Sequence, residues 1–98
     1  MKKENSFKVA VANLFLANSM LKTTLESCKR GDDSVDVGHL LLGAKQFFEI
    51  SLTATQQIKS SENIQNYVSS LQNDFSFYYN SVNIIEAYIK AYDENVPT

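Results

Sequence analysis

Residues 44–96 contain neither glycine nor proline, and in the second half of that stretch the apolar residues recur at alternating steps of four and three. Ile64, Val68, Leu71, Phe75, Tyr78, Val82, Ile85, Ile89, Tyr92 and Val96 keep the step without a miss. At 3.6 residues per turn this spacing lines them along one helix stripe, whereas a strand would bring residues two apart onto one face. The run Phe75-Ser76-Phe77-Tyr78-Tyr79 is β-prone by composition, but the helical period on both sides overrides it. A chain with such a stripe must cover it with other helices or with a copy of itself.

Two further stretches supply that cover. In the first, from about 5 to 29, Phe7, Val11, Leu14, Asn18, Leu21, Leu25 and Cys28 form a heptad seam with Asn18 as its one polar member. Ala10 and Ala17 widen it. Lys29-Arg30-Gly31 reads as a helix end, with two cations in the last turn and a glycine at the left-handed cap. Residues 31–36 form the loop, and Asp36 or Ser34 is placed to cap the next helix. The middle stretch, from about 37 to 59, is the most apolar, with Leu40, Leu41, Ala44, Phe47, Phe48, Leu52 and Ile58 on a broad face and Leu42 and Ile50 off it. Such a helix is expected at the centre of a bundle.

The apolar faces of the middle and last stretches lie roughly opposite each other if one helix is continued through both. A break at Ser60-Ser61-Glu62-Asn63, where serine and asparagine can cap a new helix, removes the conflict. The sequence therefore predicts an all-α fold, an antiparallel three-helix bundle with helices at about 5–29, 37–59 and 62–94. Residues 1–98 form one domain, with 1–4 and 95–98 frayed. The alternative is a dimeric helical hairpin whose second helix runs nearly 60 residues, about 87 Å.

Composition narrows function mainly by exclusion. The 98 residues carry a formal charge of -2, which argues against a nucleic-acid-binding surface. One cysteine and one histidine leave no disulfide framework and no Cys/His zinc site, and three scattered glycines leave no phosphate loop. No apolar run reaches the length of a membrane span. Leu25-Glu26-Ser27-Cys28 resembles a lipoprotein cleavage box, but Glu26 stands where a small or apolar residue is needed. A cytoplasmic protein is expected, with export without a classical signal peptide as the alternative.

His39-Leu40-Leu41-Leu42-Gly43-Ala44 resembles the phosphoacceptor motif of histidine phosphotransfer domains, which are small helical bundles. Leu41 and Gly43 match that motif, and Leu42 replaces its lysine. The resemblance implies a signalling domain with His39 as phosphoacceptor. The segment Asp32-Asp33-Ser34-Val35-Asp36 alternates oxygens like the start of a calcium loop, yet Val37 and Gly43 occupy the positions of its glycine and glutamate. Neither a catalytic set nor a cofactor or metal site emerges from these residues.

The functional expectation comes from apolar residues outside the seams. Val9, Leu16 and Met20 on the first helix, and Phe77, Ile84 and Tyr88 on the third, fall where a helix with one buried face should be polar. They are candidate partner-binding residues. Asn18 is a candidate register-setting residue, since one amide in a heptad seam selects alignment and partner number. All five tyrosines lie on the third helix, and tyrosine suits interfaces. The expected function is non-enzymatic: a helical protein–protein interaction module of regulator, chaperone, immunity or inhibitor type. It would form a homo-oligomer or bind one protein partner. A bundle carrying a small apolar ligand is the further alternative.

Overall fold

The structure is a computed structural model and describes residues 2–58 and 61–95. Four helices succeed one another: α1 (Lys2–Arg30), α2 (Ser34–Gln56), α3 (Ser61–Ser70) and α4 (Gln72–Asn95). The fold is an all-α bundle in which α1, α2 and α4 pack against each other. Asn18 meets Asp74, and Tyr88 meets Asp32 beyond the end of α1, so α4 runs parallel to α1. Between them α2 runs the opposite way, with Lys45 bonded to Glu86 and Ser34 to Asp93.

Local chemistry sets the boundaries. Gly31 adopts φ +77°, its N–H bonds to the Cys28 carbonyl, and the Asp32 N–H reaches back to the Ser27 carbonyl. This pair of bonds closes α1 on the expected glycine. The second helix starts earlier than the sequence suggests, at Ser34 rather than 37, and its cap is Asp33 rather than Asp36 or Ser34. Asp33 Oδ1 accepts from the Val35 N–H at 2.7 Å, so the turn after Gly31 leads directly into the new helix. At its far end the N–H groups of Gln57 and Ile58 bond to the carbonyls of Ala54 and Thr55, a tightening that finishes the helix before residue 59. The middle and last helices are therefore separate, as the bundle requires. The expected break includes Ser60, which with Lys59 lies outside the described residues, as do Met1 and 96–98. Lys2 to Glu4, expected to fray, continue α1.

The expected third helix is divided at Leu71 into α3 and α4. The Leu71 N–H still reaches the Tyr67 carbonyl at 3.2 Å, and the Phe75 N–H reaches that of Leu71 at 3.0 Å. Ser70 Oγ donates to the same Tyr67 carbonyl at 2.9 Å, so at the division this acceptor is shared between a backbone N–H and a hydroxyl.

The larger core joins Leu14, Ala17 and Leu21 of α1 to Val37, Leu41, Ala44 and Phe48 of α2 and to Tyr78 and Ile85 of α4. A smaller cluster of Ala10, Ala54 and Tyr67 closes the α3 end. Phe48 stacks on Tyr78 with ring centres 3.7 Å apart and planes 9° from parallel. The expected seam of α1 is rotated towards α2: Ala10, Ala17 and Thr24 are fully buried, whereas Phe7 is exposed. The expectation of a central middle helix needs correction. Each long helix touches the other two, and α2 leaves Val35, Leu42, Ile50 and Leu52 exposed.

Candidate docking surfaces

The expected stripes face different sides of α1. Val9 and Leu16 are exposed, but Met20 turns in towards α2, where a Cβ added to Gly43 would lie 2.6 Å from its Cε. On the other side, Phe77, Ile84 and Tyr88 line an open groove of about 490 Å³ with Lys22, Leu25, Glu26, Cys28 and Lys29 of α1. Phe77 and Tyr88 pack against the core, while Ile84 stays 57% exposed. The Tyr88 hydroxyl donates to the Asp32 carbonyl at 2.6 Å, which fixes this wall against the α1–α2 turn. The Lys22 ammonium lies over the Phe77 ring, 5.7 Å from its centre. The groove thus has an apolar floor and a charged rim of Lys22, Glu26 and Lys29, the last two paired at 3.4 Å.

A second surface lies on α2. Val35, Leu42 and Ile50 are 61%, 55% and 48% exposed and point away from both neighbouring helices. Val35 and Leu42 stand seven residues apart, two turns of helix, with exposed Asp36 and Glu49 beside the row. The sequence places Leu42 and Ile50 off the main face of this helix. What it could not show is that no other described element covers them.

Asn18 is buried, and its Nδ2 donates to the Asp74 carbonyl at 3.0 Å. Its amide is engaged within the chain, between α1 and the start of α4. Its Oδ1 is buried with no partner among the described residues. Burial pushes the Cys28 thiol above its ordinary pKa, with Asp32 adding to the effect, so the thiolate is disfavoured. His39 is exposed on α2. The carboxylates of the calcium-like loop are used locally: Asp33 caps α2, and Asp32 takes the Arg30 guanidinium at 2.8 Å. Among the described residues no group of three His, Cys, Asp or Glu could hold a metal, and no helix is long and apolar enough to cross a membrane.

Comparison with protein-family models, with curated proteins and with solved structures finds no match to this chain.

Proposed function

We propose that this chain is a non-enzymatic helical interaction module that docks on another protein chain through apolar residues on the outside of its bundle. The observation that carries the reading is the row Val35, Leu42 and Ile50, about half exposed or more along one outward side of α2. Isolated exposed hydrophobes are ordinary, but a row at helical spacing on the most apolar helix is the form in which helices meet partners. The groove between α1 and α4 offers the complementary form, an open trough. An open trough suits protruding side chains of a second chain better than a small molecule, which a pocket normally encloses.

A photoreactive amino acid at position 42, 84 or 83, introduced in the cell of origin, tests the reading. Asn83 is exposed on α4, outside both surfaces, and serves as the control. Probes at 42 and 84 are expected to yield a defined adduct with a protein chain, and the probe at 83 none. No adduct at 42 and 84, or the same diffuse labelling at all three positions, would end the proposal.

A further inference from the structure

We infer that the two surfaces are partners for each other, so that the α2 ridge of one copy seats in the α1–α4 groove of a second copy. This rests on the interaction-module reading and names its partner. Three observations carry it.

The first is spacing. Val35 and Leu42 on the ridge are seven residues apart, as are Phe77 and Ile84 on one wall of the groove and Lys22 and Lys29 on the other. Seven residues span about 10.5 Å along a helix, so apolar side chains on the ridge meet apolar positions on the wall at the same interval.

The second is charge. Of the six Lys and Arg in the sequence of α1, Lys22 and Lys29 line the groove, in a chain whose formal charge is -2. Lys22 and Lys29 stand on the groove rim with Glu26, which is paired with Lys29 at 3.4 Å, so Lys22 is the cation the rim can offer a partner. Beside the ridge, Asp36 and Glu49 are exposed, and the one Lys of α2, Lys45, is held by Glu86 of α4 at 2.9 Å. Glu49 beside the ridge and Lys22 on the groove rim therefore offer opposite charges, which favours this encounter over ridge against ridge.

The third is shape. The ridge projects from one side of the bundle and the groove lies on another, so one copy can use both at once. A contact between two different patches is head-to-tail, and it extends into chains or closes into a ring. The surfaces are small, so the contact is expected to be weak and to bury less than about 1,200 Å² in total.

Sedimentation equilibrium on the purified full chain, up to about 1 mM, provides the test. The mass is expected to rise with concentration and to fall back in high salt. Leu42→Glu disables the ridge and keeps the groove. Ile84→Glu disables the groove and keeps the ridge. Each alone is expected to lower the association constant about tenfold or more. Mixed in equal amounts they are expected to form a 1:1 complex that grows no further, which a contact of one patch with itself cannot produce. Circular dichroism shows whether each variant keeps its helices. If Ile84→Glu does not, Lys22→Glu with Glu49→Lys replaces it, each single change weakening association and the pair restoring it. A wild-type chain that stays monomeric throughout overturns the inference, as does association without a mixed complex or charge rescue. In either case a foreign adduct at position 42 or 84 leaves the interaction-module reading standing, whereas loss of both adducts removes it.

Discussion

At the residue scale the three glycines separate what φ, space and helix propensity each demand. Gly31 sits at φ +77°, where a side chain is strained whatever the room around it. Gly31→Ala is expected to cost about 1–2 kcal/mol. Gly38 lies inside α2 with nothing within 4 Å of an added Cβ, so Gly38→Ala should gain about 0.5–1 kcal/mol. Gly43 shares that helical backbone, but its added Cβ meets the mobile end of Met20. There the gain in propensity is offset by moving the thioether, and Gly43→Ala should lie between the other two. Urea unfolding of the three variants orders them, and a stabilised Gly31→Ala would contradict the cap. Gly31 could be read from the sequence because Lys29, Arg30 and a following polar loop surround it. Gly43 could not, since its constraint comes from a methionine on another helix. Asn18 was legible as a polar residue in a seam, but its partner, the Asp74 carbonyl, appears only once α4 lies beside α1.

At the element scale the helical period was legible because apolar spacing is local, and the position of each helix was not. The four-three step of 64–96 runs unbroken across Leu71, so nothing in it announces the division there. The Tyr67 carbonyl at that division is shared with the hydroxyl of Ser70. Among the described side chains of α3 the buried one is Tyr67, which is 1% exposed against Ala10 and Ala54 and lies edge-to-face with Phe7 and Phe75 at 5.3 and 6.1 Å. Removing this ring takes from α3 its buried described side chain, while α4 keeps the larger core. Tyr67→Ala is therefore expected to abolish amide-exchange protection in α3 and to leave it in the centre of α4. An equal loss in both would make α3 and α4 one cooperative unit. The groove was the least legible feature. Phe77, Ile84 and Tyr88 were visible as a stripe, but Lys22, Leu25 and Lys29 join them only through the parallel docking of α1 and α4.

At the scale of the whole molecule the bundle measures 54 × 20 × 17 Å, with a radius of gyration of 15.7 Å against about 13 Å for a compact domain of this size. A long, thin bundle has few layers, so one layer where all three long helices meet carries much of its cohesion. That layer contains Tyr78, stacked on Phe48 and packed in the core that joins α1, α2 and α4. Burial, followed by the negative potentials of Tyr79, Glu49 and Glu86, pushes its hydroxyl up to about 12 from the ordinary 10. The folded state therefore holds this proton more tightly than the unfolded chain does. Its contribution to stability is complete below about pH 10 and is lost as pH rises towards 12. The urea midpoint should be insensitive to this group from about pH 8 to 9.5 and then fall steeply. Tyr78→Phe keeps the stacked ring and removes the proton, so it should flatten much of that fall. An equally steep decline in the variant would place the alkaline weakness in the general charge of the chain, with Tyr78 as a stacked ring and nothing more.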